Sequence, residues 1–127
     1  MRNGKQACGF TMIELLVTLA ILGLLVSVAA PRYFSNMDKA KEDVLREDLY
    51  LLRDSIDKFY SDRNRYPDTL AQLVTEHYLR QIPVDPFTQS PNSWVTVPSP
   101  DPSLGVVTDV HSGAPNTGRD GTWLKDW

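Results

Sequence analysis

The feature that most constrains this chain is an unbroken apolar segment near its amino terminus. Residues 10–30 read FTMIELLVTLAILGLLVSVAA, and Glu14 is the only charged residue among them. A helix of this length spans about 31 Å at about 1.5 Å per residue, which matches a bilayer core of roughly 30 Å. The segment therefore predicts one transmembrane helix over residues 10–30.

The charges that precede this segment predict its orientation. Arg2 and Lys5 come before the apolar residues, and basic residues beside a membrane helix stay on the cytoplasmic side. Residues 31–127 are therefore expected on the opposite side of the membrane. A secretory signal peptide has a shorter apolar region that ends in an A-x-A-like site, so removal of the whole helix is not expected.

Composition excludes several classes of protein. The 127 residues are enough for one domain with a core and too few for two. With 13 Lys and Arg against 16 Asp and Glu, the formal charge of −3 argues against a general nucleic-acid binder. One cysteine and two histidines are too few for an internal disulfide or a Cys/His zinc site. No pattern around His77 or His111 suggests an activated nucleophile, so the chain is not expected to be an enzyme.

After Pro31 the helix is predicted to continue with an amphipathic pattern. An apolar stripe recurs at steps of four, three, four and three residues and consists of Leu45, Leu49, Leu52, Ile56 and Phe59. This spacing places the stripe on one helix face, so a spine helix is expected to run to about residue 62 and to pack on a globular partner. Tyr66 precedes Pro67 and so avoids helical backbone. Thr69 and Gln72 then predict a capping box for a short helix over about 69–79.

The remaining residues predict a small antiparallel sheet over about 94–127. Residues 94–97 and 106–110 alternate as strands do, and a third strand is expected near residues 122–124. The predicted fold class is therefore α+β: a long amino-terminal helix, with a transmembrane half and an amphipathic half, packed on a small antiparallel sheet. Residues 31–127 would form the domain outside the cytoplasm.

Residues 9–17, GFTMIELLV, resemble the class III signal of type IV pilins and type II secretion pseudopilins. The match includes a short basic leader, Gly9, the aromatic residue Phe10, the glutamate Glu14, and Pro31 where the helix leaves the membrane. The resemblance implies the pilin fold. It also implies that residues 1–9 are a leader, that a prepilin peptidase cleaves between Gly9 and Phe10, and that Phe10 is then N-methylated.

Glu14 is the only charged residue of the predicted transmembrane helix, so its presence there needs an explanation. A carboxylate at the centre of a membrane helix costs about 2.5 to 3.5 kcal/mol and costs less near an end, so a partner is expected. The resemblance supplies one, the amine of Phe10 on a neighbouring subunit, and Glu14 would then set the register of subunit assembly. The alternative is that Glu14 reaches the membrane interface or bonds within its own helix.

Gly23 and Pro31 weaken the second half of the membrane segment, because glycine lowers helix propensity and proline removes a backbone donor. The resemblance suggests that this segment melts or bends when subunits pack. Close helix packing at Gly23 with a simple kink at Pro31 explains the residues equally well.

A second resemblance covers residues 59–86. Phe59-Tyr60, Tyr66-Pro67 and Asp85-Pro86 follow the order found in the major, G-type pseudopilin of type II secretion. The chain departs from that family over residues 88–94, which read TQSPNSW where many members have a Gly-x-Pro-Tyr turn. Cleavage would remove Cys8 and leave no cysteine, unlike many type IV pilins, and this favours the secretion family.

The resemblance therefore implies a subunit of a homopolymeric periplasmic pseudopilus that drives protein export. The protein would cross the bacterial inner membrane once, with its carboxy-terminal domain in the periplasm. Its partners would be the prepilin peptidase, the inner-membrane assembly platform and its ATPase, and minor pseudopilins, with no direct nucleic acid. The alternative is a type IV pilin or competence pilin in a surface filament for adhesion, motility or DNA uptake.

A metal site is the remaining expectation. In the G-type family a carboxy-terminal loop binds a structural calcium ion, and the side chains in the comparable region are Ser112, Asn116 and Asp120. Calcium takes about six to eight oxygen ligands, whereas Asp120 is the only acid within residues 111–122, with Asp109 and Asp126 on either side. The alternative is that Asp120-Gly121 only makes a turn. No other cofactor is expected.

Overall fold

The computed structural model describes residues 9–127. The expectations that concern residues 1–8, including the leader charges and Cys8, lie outside the described residues. The chain divides into two compact units, Met1–Met37 and Asp38–Trp127, and each unit is described by itself.

The first unit contains the beginning of helix α1, which runs from Met12 to Arg63. Its most apolar window has no buried residue, and α1 is long and apolar enough to cross a membrane. The helix passes through Gly23 and Pro31 without interruption. The predicted membrane segment is therefore an exposed apolar helix in the single chain.

The second unit is built on the remainder of α1. All five residues of the predicted apolar stripe are at most 2% exposed, so the periodicity correctly identifies the buried face. The core is completed by residues of the segments that follow α1, namely Leu70, Leu73, Leu79, Trp94, Val107, Val110, Ala114 and Leu124. Burial of this shared apolar surface is the main contribution holding α1 to the rest of the unit.

Helix α2 runs from Leu70 to Thr75 and is shorter than expected. The predicted cap at Thr69 is present, since Gln72 N donates to Thr69 Oγ1 (3.2 Å). The return bond reaches one residue further back than in a standard capping box, because Gln72 Oε1 accepts from Asp68 N (2.7 Å) and not from Thr69 N. The helix stops because His77 has φ +66°, in the left-handed region, which redirects the chain. The amides of Tyr78 and Leu79 then both donate to Leu73 O (2.8 and 3.0 Å).

The sheet has two antiparallel strands, β1 (Val95–Pro98) and β2 (Val107–His111). Val95 pairs with His111 and Thr96 with Val110. One long helix packed with this small antiparallel sheet confirms the α+β fold class.

The prediction of a third strand near residues 122–124 is wrong. This part of the chain contributes one isolated bridge between Thr117 and Trp123, followed by a 3-10 helix over Leu124–Asp126. The amides that a strand would need are used locally, since Gly118 N donates to Thr122 O (2.7 Å) and Leu124 N donates to Asn116 O (3.0 Å). The segment therefore folds back on itself instead of joining β2.

The loop between the strands is fastened to the residues just after α1. Gly105 has φ +103°, and a Cβ built there would lie 2.1 Å from Tyr66 O. The same contact brings Val107 N to Pro67 O (2.9 Å). Only glycine allows this approach of two backbone segments.

Candidate assembly surface and carboxy-terminal loop

The amino-terminal end of α1 forms a local capping box around Glu14. Glu14 N donates to Thr11 Oγ1 (3.2 Å), while Glu14 Oε2 accepts from Thr11 N (3.3 Å). These bonds satisfy two helix-terminal donors, and a carboxylate in the first turn also interacts favourably with the helix dipole. In the single chain, Glu14 thus bonds within its own helix.

The apolar surface of the first unit is extensive and exposed. Phe10 is 86% exposed, Met12 81% and Ile13 69%, and large apolar side chains continue along the helix to Val28. A Cβ built at Gly23 would meet nothing within 4 Å, so no contact in the single chain requires glycine there. Such a surface in a folded chain requires cover by lipid or by other subunits.

Most ion pairs of the second unit lie at the surface. Lys58 and Asp54 are 2.9 Å apart, Arg65 and Asp68 are 3.1 Å apart, and both pairs are largely exposed. Exposed pairs of this kind contribute about 0 to 1 kcal/mol each. They do not mark a site.

Arg53 differs from these residues because its guanidinium joins three parts of the fold. Nε donates to Asp109 Oδ1 (2.8 Å), and Nη2 donates to the carbonyl oxygens of Val110 (3.0 Å) and Trp127 (2.5 Å). His111 Nδ1 also lies 2.8 Å from Trp127 O. Helix α1, strand β2 and residue 127 therefore meet at one side chain.

The carboxy-terminal loop contains a hydrogen-bonded chain that ends on Asp120. Asp120 Oδ1 accepts from Thr122 N (3.0 Å) and Thr122 Oγ1 (2.6 Å), and Thr122 Oγ1 accepts from Trp127 Nε1 (2.7 Å). The bonds from Thr122 lower the pKa of Asp120, and the nearby charge of Arg46 lowers it further. Asp120 is therefore a carboxylate already stabilised by protein groups.

Ser112 belongs to a different group of side chains. It is fully buried, its Oγ donates to Asp85 Oδ2, and the same Oγ accepts from Ala114 N (3.1 Å). Asp85 is also fully buried and accepts from Phe87 N (2.8 Å). Asp85-Pro86 is part of the second resemblance, but nothing in the sequence indicated that Asp85 would be buried and would pair with Ser112.

The side chains present do not fit a calcium site. Ser112 and Asp120 are engaged in separate hydrogen-bonded groups, and Asn116 is exposed. Over residues 9–127 there is no group of three or more His, Cys, Asp or Glu side chains that could hold a metal ion. Calcium requires about six to eight oxygens around one point, and the hydrogen bonds of the structure do not join Ser112, Asn116 and Asp120 into one group.

Comparison with known proteins identifies the class and then the family. Residues 4–30 match the model of the prokaryotic N-terminal methylation motif. Type II secretion system core protein G of Pectobacterium carotovorum subsp. carotovorum is 30% identical over 142 residues, covering 98% of this chain and 90% of the relative. The protein of that name from Klebsiella michiganensis is 29% identical (97% and 96% covered), and that from Vibrio cholerae is 28% identical (97% and 96% covered). No solved structure matches.

The methylation motif at the start of a long apolar helix, together with a small α+β domain, defines a prepilin-type filament subunit. Among such subunits, the near full-length similarity is decisive. The chain belongs to the type II secretion system core protein G family, the major pseudopilins.

Proposed function

We propose that this protein is the repeating subunit of a periplasmic pseudopilus, which polymerises from the inner membrane and drives protein export by a type II secretion system. The observation that carries the proposal is the exposed apolar surface at the start of α1, next to the methylation motif. Lipid would cover this surface before assembly, and equivalent helices of other subunits would cover it in the filament. The role is structural, and no catalytic step is assigned to any residue.

Maturation comes first in this proposal. A prepilin peptidase would cleave between Gly9 and Phe10, which precede the first residue of α1 by only a few positions, and the new amine of Phe10 would be N-methylated. Arg2 and Lys5 would keep the leader in the cytoplasm and place residues 31–127 in the periplasm. Mass spectrometry of the purified protein would show a methylated amino-terminal Phe10.

Glu14 would then direct assembly. Its carboxylate bonds within its own helix in the single chain, and in the filament it would pair with the Phe10 amine of a neighbouring subunit. An amine and a carboxylate compensate each other in a low-dielectric surrounding, whereas a subunit out of register leaves both charges unpaired. The continuous helix at Gly23 and Pro31 would be the form before assembly, and both residues make local melting inexpensive.

The remaining partners follow from this assignment: the inner-membrane assembly platform with its ATPase, and minor pseudopilins. Deletion of the gene tests the function itself, with secreted proteins and surface filaments measured in the same strain. The proposal predicts loss of secreted proteins, retained in the periplasm, with surface pili intact. Loss of surface pili with secretion unchanged would make the protein a type IV or competence pilin instead.

A further inference from the structure

Three residues of α1 hold the carboxy-terminal loop, defined here as residues 112–127. Glu42 is 7% exposed, and its Oε1 accepts from Arg119 N (2.6 Å). The guanidinium of Arg46 lies over the Trp127 ring, 4.3 Å from its centroid. Arg53 donates to Trp127 O from the same face of the helix. The loop is therefore anchored at three points along about three turns of α1.

The arginines and the acids of this region lie together. An open groove of about 680 Å³ is lined by the charged residues Arg46, Arg53, Asp120 and Asp126, beside the ring of Trp127. Two guanidinium groups and two carboxylates thus line the groove, and their formal charges cancel. A divalent cation placed there would meet two positive charges that are already present.

Some of the side-chain oxygens of the loop already accept hydrogen bonds. Asp120 Oδ1 accepts two bonds from Thr122, and Thr122 Oγ1 accepts from Trp127 Nε1. Outside the loop, Asp109 Oδ1 accepts from Arg53 Nε and from Val110 N (2.8 Å). A metal ion that used these particular oxygens would have to compete with the hydrogen bonds that they already accept.

We propose that the positively charged side chains of Arg46 and Arg53 hold this loop against α1, and that the loop folds without calcium. The chain would thus reach the closed loop of its family by a different route, with helix-borne guanidinium groups in the role that the resemblance gives to a metal ion. The inference concerns the folding of the subunit and does not depend on the proposed function.

The first test is calcium dependence of the full-length protein, purified in detergent micelles. Tryptophan fluorescence reports on the second unit alone, because Trp94, Trp123 and Trp127 are the three tryptophans of the chain. We expect the same melting temperature in millimolar CaCl2 and in EDTA. We also expect no saturable terbium emission sensitised by tryptophan. Stabilisation by calcium, together with terbium emission that calcium competes away, would overturn the proposal.

The second test is the role of the arginines. Arg53→Met should lower the melting temperature by about 4–8 °C, the shift expected for loss of one substantial interaction in a domain of this size. Arg46→Met leaves the Arg53 bonds in place and should lower the melting temperature by a smaller amount. This second variant keeps the test possible if Arg53→Met does not fold. Lys58→Met removes the same charge from an exposed site on α1 and serves as the control. The proposal fails if both arginine variants have the same melting temperature as the Lys58→Met control.

Discussion

Gly105 offers a quantitative test of how the second unit is closed. Its φ of +103° is unfavourable for a residue with a side chain, and an added Cβ would lie 2.1 Å from Tyr66 O. Gly105→Ala therefore adds backbone strain of about 1–3 kcal/mol and forces two backbone segments apart. That separation also stretches the bonds from Val106 N and Val107 N to Pro67 O (3.3 and 2.9 Å).

The expected loss in the free energy of unfolding is about 3–5 kcal/mol, with about 1 kcal/mol for each weakened hydrogen bond added to the strain. Gly121 provides the matched control, because it also has positive φ (+84°) but a Cβ there would meet nothing within 4 Å. Gly121→Ala should therefore cost only about 1–2 kcal/mol, the price of left-handed backbone for an L-residue.

Urea unfolding followed by tryptophan fluorescence measures both values, since all three tryptophans lie in the second unit. The difference between the two variants measures the contact with Tyr66 together with the extra strain of the Gly105 backbone, whose φ of 103° and ψ of −169° are reached almost only by glycine. If Gly105→Ala costs no more than Gly121→Ala, the loop is not held against Tyr66 as described.

Two further predictions concern the same unit. Partial burial raises the pKa of Asp48, and the charges of Glu47 and Asp85 raise it further. The ionised form of Asp48 therefore opposes folding at neutral pH. This penalty declines as the pH falls through the folded-state pKa and is gone below the unfolded-state pKa. Asp48→Asn should raise the melting temperature at neutral pH and leave it unchanged in acid, and an equal shift at both pH values would contradict this. The second prediction concerns the cap of α2: Thr69→Ala should lower the free energy of unfolding by about 1 kcal/mol, because the cap is lost. In urea unfolding, Thr75→Ala, which changes an exposed residue of the same helix, should cost less than the cap variant.

Local patterns in the sequence predicted the elements whose formation depends on local physics. The apolar stripe from Leu45 to Phe59 depends only on helical spacing, and the cap at Thr69 depends on a residue three positions away. The early end of α2 was missed because His77 takes the left-handed backbone, whereas the residues that usually signal such a helix end in a sequence are glycine and asparagine. The extra strand was predicted because residues 122–124 have the pattern of a strand. In the structure, local turns use the backbone hydrogen bonds that would have joined this segment to β2.

The carboxy-terminal loop could not be predicted in the same way. Arg46 and Arg53 are typical of a solvated helix face, and nothing near them in the sequence indicates contact with Trp127. The partners are 74 or more positions apart, as the bond from Arg53 to Trp127 shows. Buried Asp85 has the same character, because its partner Ser112 lies 27 positions away.

Assembly of subunits through Glu14 is tested most directly by measuring secretion in a strain that carries Glu14→Ala. Ser27→Ala changes another polar residue of the membrane segment, whose hydroxyl bonds only Leu24 O in the single chain, and is the matched control. We predict that the Glu14 variant is processed and reaches the membrane but forms no filaments and restores no secretion, while the control restores both. Normal filaments and normal secretion with Glu14→Ala would contradict the account.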